Sequence, residues 1–239
     1  MFGPAYFLSG DSFLKRTAVE DAARQRLAPV FSKWIGREEI RVQSEQSPSR
    51  LSVSERVALL EKMIPANEDA GQEVLIGRSS GGRVATLFAM RRPVGAVICF
   101  AYPFRHPSSV LEPLRFSHLA HITVPTLIFQ GTRDAYGAVD ITENYALSPA
   151  VTVRFVNTDH DFDLSPAEWD QVARKVMKFL DTVQRRLPAK GARFDEAFYL
   201  RTHPDVAAAI AAGEYVSGEH HFKLKGRRKG RRFRLLADT

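Results

Sequence analysis

A doubly wound, mostly parallel α/β sheet of about six strands, with a small helical appendage at the C-terminal end, is the architecture this sequence predicts. Three observations carry it. Strand-length apolar runs alternate with helix-period segments through residues 1–187. Val94 through Ala101 is a continuous apolar run, the pattern of a central strand covered on both faces. Finally, Val74-Leu75-Ile76 enters Gly77-Arg78-Ser79-Ser80-Gly81 and a small-residue helical pattern follows, so a strand turns sharply into a helix.

The elements follow in order. Ala5-Tyr6-Phe7-Leu8 reads as a short buried strand, and Ser9-Gly10-Asp11 as the loop after it. Val19, Ala23, Leu27, Val30, Phe31 and Trp34 recur at helical spacing, with Pro29 expected to kink or split that helix. Ile40-Arg41-Val42 is a candidate second strand, and Gln43 through Arg50 a polar surface loop. Ser52 with Glu55 forms a capping box ahead of Val57, Leu60 and Ile64, so a helix starts there. The helix after Ser79 ends at Arg91-Arg92, before Pro93. Tyr102 to His121 is irregular, rich in proline and aromatic residues, and expected to wall the site. Thr126 through Gln130 is the next strand and Ile141 to Leu147 a short helix. Val151 through Val156 is the last strand, followed by the loop Asn157 to Phe162. Ser165, Pro166 and Glu168 open a closing helix whose buried face runs from Trp169 to Val183.

The chemistry concentrates in three post-strand loops. In the turn after Ile76, Gly77 and Gly81 are required because neighbouring backbones meet where a Cβ would clash. Ser79 is thereby pushed out at the carboxyl edge of the sheet, where ligands of such sheets bind. A serine hydroxyl is a weak nucleophile until a base takes its proton, and that base needs an orienting carboxylate. Asp134 and His160 supply both, each in a loop after a strand, in the order Ser, Asp, His. The amide of Ser80 can face a developing oxyanion, and the backbone of Gly10 or Asp11 is the candidate second donor. Arg78, beside the nucleophile, is a candidate for binding an acidic substrate or for a structural bond to a nearby carboxylate or carbonyl. His106, His118 and His121 precede Asp134 and break the order, while His203, His220 and His221 lie in the appendage. Asp140, Asp159 and Asp161 are rival carboxylates, although Asp159 and Asp161 adjoin His160 too closely to orient it well. A phosphate-binding loop is excluded: Arg83 and Val84 stand where that motif needs Lys and Ser or Thr. No His-Glu-x-x-His-like spacing suggests a metal, and no cofactor is expected.

Composition sets the outer bounds. The chain has 239 residues and 44% apolar content, enough for one α/β domain and an appendage. No run approaches the roughly 18 apolar residues of a membrane span. The first residues lack a basic segment followed by an apolar one, so a cytoplasmic location is expected. Cys99, the single cysteine, lies in an apolar run and reads as a buried small hydrophobe. The net charge of +7 resides in one segment, where Lys223, Lys225, Arg227, Arg228, Lys229, Arg231, Arg232 and Arg234 stand close together. The remainder is near neutral, so basicity says nothing about the substrate.

Residues 74–85, Pro125 through Asp134 and Asp159-His160-Asp161-Phe162 together resemble the α/β-hydrolase superfamily. More narrowly they are similar to its small lidless branch, related to dienelactone hydrolases and carboxylesterases, which reads Gly-Arg-Ser-x-Gly-Gly-Arg at the elbow. The resemblance covers most of residues 1–187 and implies a minimal hydrolase fold. It implies Ser79 as nucleophile, Asp134 as acid and His160 as base. This sequence departs from the pattern in lacking a His-Gly oxyanion loop and in a shorter N-terminal part without the outer strands. Residues 192–233 resemble a short bacterial module found beside glycosyltransferases and secreted repeat proteins. It reads as two short helices, the second with Pro204 near its start and Gly213 at its end.

The expected organisation is therefore a hydrolase domain over 1–187, a linker at Pro188–Gly191 with a helical module to residue 222, and a basic tail over 223–239. The expected function is a serine hydrolase acting on a carboxylic ester or thioester of small size. The alternatives are a hydrolase fold retained for binding or assembly with an idle triad, and an O-acyl esterase accessory in polysaccharide metabolism. The basic tail is a candidate contact for an anionic polymer or a membrane surface; no specific nucleic acid is expected.

Overall fold

The computed structural model describes residues 2–11, 17–44, 51–64, 71–108, 112–186, 193–226 and 229–236. The expected linker Pro188–Gly191, most of the polar loop Gln43–Arg50, and Arg227 and Arg228 lie outside the described residues. The chain divides into two units, Met1–Val183 and Gln184–Thr239.

In the first unit, β1 (Ala5–Leu8), β2 (Trp34–Ile35), β3 (Val74–Arg78), β4 (Ala96–Phe100), β5 (Thr126–Gly131) and β6 (Val151–Val156) form one sheet. Its order is β2-β1-β3-β4-β5-β6, and every pair is parallel. The chain leaves β1 toward β2 and then crosses to place β3 on the other side. The loops after β1 and β3 therefore diverge and leave a crevice at the carboxyl edge, the topological switch point where such sheets bind ligands. Leu8, Gly77 and Cys99 lie side by side in register, so Ser9, Ser79 and the residues after Phe100 emerge at one level.

Helices cover both faces, as parallel strands require. On one face α1 (Ala18–Leu27) and α6 (Pro166–Arg186) meet through Arg26 Nε, which donates to Asp170 Oδ1 at 2.6 Å. Phe100, Phe129, Phe162 and Trp169 pack beneath them with ring centroids 5.5–5.7 Å apart. On the other face α3 (Val53–Met63) and α4 (Ser80–Arg91) bury Val57, Leu60, Val84, Ala85 and Phe88 against Tyr6, Leu75, Val97 and Cys99. The capping box expected at Ser52 is present: Ser52 N donates to Glu55 Oε2 at 2.7 Å and Glu55 N to Ser52 Oγ at 3.3 Å. The one at Ser165 is matched by Glu168 in the same way.

The second strand needs correction. Ile40-Arg41-Val42 is not a strand but the end of α2 (Arg37–Val42). Its first turn is held by Glu39, which accepts from Gly36 N at 3.0 Å, and by the buried Glu20, which accepts from Arg37 N at 3.0 Å. These acceptors satisfy helix N-terminal amides, and Val42, freed of any sheet, is 71% exposed. The second strand falls instead on Trp34 and Ile35, because Pro29 ends the preceding helix at Leu27 and leaves only a 3₁₀ turn over Ala28–Val30. The segment after β4 is irregular with two short 3₁₀ turns, Pro113–Arg115 and Ser117–Ala120. Tyr102 and Phe104 are fully buried and pack with ring centroids 4.8 Å apart, with Tyr145, after the short α5 (Ile141–Asn144), against Phe104.

The second unit contains β7 (Arg193–Phe194), α7 (Glu196–Thr202), α8 (Pro204–Ala211), α9 (Gly218–His221), a π turn over Phe222–Gly226 and β8 (Leu235–Leu236). Its core is Tyr199, Val206 and Phe222, joined by Phe194, Leu200 and Ile210. The described part of 223–236 is not a free tail but closes this unit. Phe233 packs against Phe222 with ring centroids 4.4 Å apart, and β8 pairs antiparallel with β7. Arg231 makes two parallel bonds to Asp205 at 2.7 and 2.6 Å, and Arg234 Nε donates to Asp195 Oδ2 at 2.7 Å. Interleaved aromatic and acidic partners therefore draw the basic residues in, which a count of charges along the chain does not register. Among the described residues no helix is long and apolar enough to cross a membrane.

Candidate active site

The turn after β3 is tight because two glycines permit it. A Cβ on Gly77 would lie 2.5 Å from the Gly81 carbonyl, and one on Gly81 only 1.9 Å from Leu8 O. Helix α4 can therefore begin directly against the end of β1. Ser79 carries the strain: its φ of 51° and ψ of −124° are outside the common regions for a residue with a side chain. Such a conformation costs on the order of 1–3 kcal/mol and persists only where the surroundings over-determine it. Here Ser79 N donates to Phe100 O at 3.0 Å and Gly82 N to Ser79 O at 2.8 Å.

The three sequence candidates come together. Ser79 Oγ lies 2.9 Å from His160 Nε2. His160 Nδ1 lies 3.0 and 2.9 Å from the two carboxylate oxygens of Asp134. Asp134 is 1% exposed and is oriented by two further donors, Gln130 Nε2 at 2.9 Å and Tyr136 N at 2.8 Å. A carboxylate facing Nδ1 favours the tautomer with its proton there, leaving Nε2 as an acceptor toward the serine. The ring of Tyr136 stacks on His160 at 4.1 Å and fixes its plane. Phe162 anchors the histidine loop from below, with φ 57° and its ring wedged against Phe100 and Trp169.

Gly10 also reaches the site. A Cβ placed on it would stand 3.2 Å from Ser79 Cβ, so its backbone borders the serine. Asp11 turns its carboxylate to Ser80, whose Oγ donates to Oδ1 at 2.6 Å. Arg78 is 5% exposed; its Nη2 donates to His160 O at 3.0 Å and stands 3.8 Å from Asp161 Oδ1. These contacts direct Nη2 at the His160 loop and are those expected of the structural alternative for Arg78. The rival carboxylates are engaged elsewhere. Asp140 pairs with Arg105, which together with Asn144 and Ala138 N holds its carboxyl down to about 2. Asp159 Oδ1 accepts from Asp161 N at 2.9 Å. His118 is half-buried with Nε2 2.9 Å from Thr86 Oγ1, and desolvation with the nearby Arg83 charge lowers it to about 4. Among the described residues, no group of three or more His, Cys, Asp or Glu could hold a metal ion.

Sequence reasoning missed Gln130, Tyr136 and Arg56. Arg56 had a signal: it stands four residues before Leu60, on the apolar face of its helix, where a charge needs a buried partner. Tyr136 had none, because its stacking on His160 depends on two loops far apart in the chain.

The family profile described as alpha/beta hydrolase domain matches residues 37–186. No curated protein sequence matches the chain significantly. Among solved structures, carboxylesterase CesB from Bacillus subtilis is similar at 17% identity and TM-score 0.52, over 75% of this chain and 84% of that one. CarC, a serine hydrolase involved in carbazole degradation, is similar at 12% identity and TM-score 0.55, over 76% and 92%. ClbQ, from the colibactin NRPS/PKS pathway, is similar at 15% identity and TM-score 0.54, over 78% and 100%. At such identities the likeness is one of fold. The profile match, spanning α2 to the end of α6 and with it the elbow and both partner loops, makes the chain a member of the alpha/beta hydrolase family.

Proposed function

We propose that the protein is a serine hydrolase that cleaves a carboxylic ester or thioester through an acyl-enzyme intermediate. The observation that carries this reading is the unbroken relay from Ser79 Oγ to His160 Nε2 at 2.9 Å and from His160 Nδ1 to both oxygens of Asp134. Ser79 Oγ attacks the carbonyl carbon while His160 takes its proton. Asp134 stays ionised, holds the ring and stabilises the imidazolium. The amides of Ser80 and Gly10 receive the oxyanion, and His160 returns the proton to the departing alcohol or thiol. Water, deprotonated by the same imidazole, then releases the acid. Carboxylesterase and serine hydrolase activities among the structural neighbours are consistent with this chemistry. The elbow Gly-Arg-Ser-x-Gly-Gly-Arg supports the small lidless branch.

A fluorophosphonate probe tests it. Wild-type protein should gain one phosphonyl group, located by mass spectrometry on Ser79, and hydrolyse short acyl esters. Ser79→Ala should lose both, with turnover down about a million-fold, as expected for removal of a triad nucleophile. An unlabelled wild type, or a variant that turns over normally, would overturn the assignment.

A further inference from the structure

We infer that Arg56 is a positioning residue for the oxyanion site, aiming the Gly10 amide and pinning the first turn of α4 through a single buried guanidinium. The inference rests on the serine-hydrolase reading above. Arg56 lies in the second turn of α3 and is only 8% exposed. Its Nη2 donates to Ser9 O, its Nη1 donates to Ser80 Oγ at 3.1 Å, and Nη1 stands 3.4 Å from Asp11 Oδ1. Ser80 Oγ in turn donates to that same Asp11 oxygen at 2.6 Å. One side chain thus joins a helix, the loop after β1 and the residue that follows the nucleophile.

The geometry of the peptide unit gives this contact its consequence. Ser9 C=O and Gly10 N–H belong to one planar trans peptide, so they point in opposite directions. Fixing the Ser9 carbonyl on Arg56 therefore fixes the direction of the Gly10 N–H on the far side of the plane. Gly10 is also the residue whose backbone borders Ser79. This favours Gly10 over Asp11 as the second oxyanion donor, with Asp11 acting through its carboxylate. On the other side, the Ser80 hydroxyl is held by Asp11 and Arg56, which restrains the peptide carrying the first donor. Burial lowers the Arg56 pKa, yet a guanidinium stays charged, and burying that charge is tolerated only with acceptors in place. The absent His-Gly pattern in this loop is then no defect: the plane is set from α3 instead of from within the loop.

The test compares Arg56→Met and Arg56→Lys with wild type in ester kinetics and in binding of an aryl trifluoromethyl ketone. The anionic adduct of that ketone with Ser79 places its oxygen where the oxyanion forms. Removing one aimed donor costs about 100–1,000-fold in turnover. Arg56→Met should lower kcat about 100-fold with KM within about threefold, and raise the ketone Ki by a matching factor. Arg56→Lys, which retains a buried cation and a donor for the Ser9 carbonyl, should recover part of both. It also carries the test if the Met variant does not fold, with a loss of about tenfold expected on kcat and Ki alike. Folded variants with kcat and Ki unchanged, or a Ki unchanged while only the melting temperature falls, overturn the positioning role and leave the hydrolase reading standing. A wild type that neither hydrolyses esters nor binds the ketone overturns both.

Discussion

Replacing Arg78 with methionine separates a residue that shapes the histidine loop from one that binds substrate. Methionine approximates the length of the buried stem, so the change removes chiefly the guanidinium. What is lost is a charge-assisted hydrogen bond to His160 O at 3.0 Å, in a position 5% exposed. Bonds to charged groups contribute about 1.5–3 kcal/mol, and the carbonyl left behind loses its partner. The contact to Asp161 adds little, since that carboxylate is half exposed and 3.8 Å away. A loss of about 2 kcal/mol in a domain of this size lowers the melting temperature by about 4–8 °C. The same bond sets the height of the His160 backbone, and a displacement of about 1 Å at a catalytic group can cost on the order of 100-fold in rate. Arg78→Met should therefore melt earlier and lose kcat equally on a matched pair of neutral and anionic esters. Steady-state kinetics on that pair, read beside a thermal melt, gives the answer. An unchanged melting temperature with KM raised for the anionic ester alone would refute the structural role.

Two further outcomes follow from the packing. His118 is held at about 4, below its unfolded value of about 6.5, so as pH falls the unfolded chain takes up the proton first. Its contribution is present above pH 6.5 and is lost on acidification, by about 3 kcal/mol between pH 7 and pH 4. His118→Gln should shrink the drop in melting temperature over that range, and parallel curves for the two proteins would exclude His118 as the cause. A chain truncated after Arg186 should unfold cooperatively and keep its esterase rate, because Ser79, Asp134 and His160 lie within Met1–Val183 and the second unit has its own aromatic core. Insoluble or inactive truncated protein would make that unit part of the hydrolase core.

By itself the sequence determined whatever depends on local geometry or on burial period. Gly77 and Gly81 announce the elbow because a Cβ on either would stand only 1.9–2.5 Å from neighbouring backbone, and capping boxes at Ser52 and Ser165 announce helix starts through bonds spanning three residues. The apolar stretches of β3, β4 and β5 are legible because a strand buried on both faces is built mostly from apolar residues. Tertiary structure decided what depends on partners distant in the chain. Ile40-Arg41-Val42 became helical because Glu20, from another helix, accepts the Arg37 amide at its N-terminus. The basic segment folded back because Asp205 and Asp195 receive Arg231 and Arg234. The bond from Arg78 to the histidine loop, and the Arg56 link between α3 and the Ser9 carbonyl, arose only once residues 82 and 47 positions away came within hydrogen-bond reach. A side chain's type states which bonds it can make, whereas the fold decides which acceptor stands within about 3 Å of it, and for a long guanidinium many acceptors are chemically equivalent until the chain has packed.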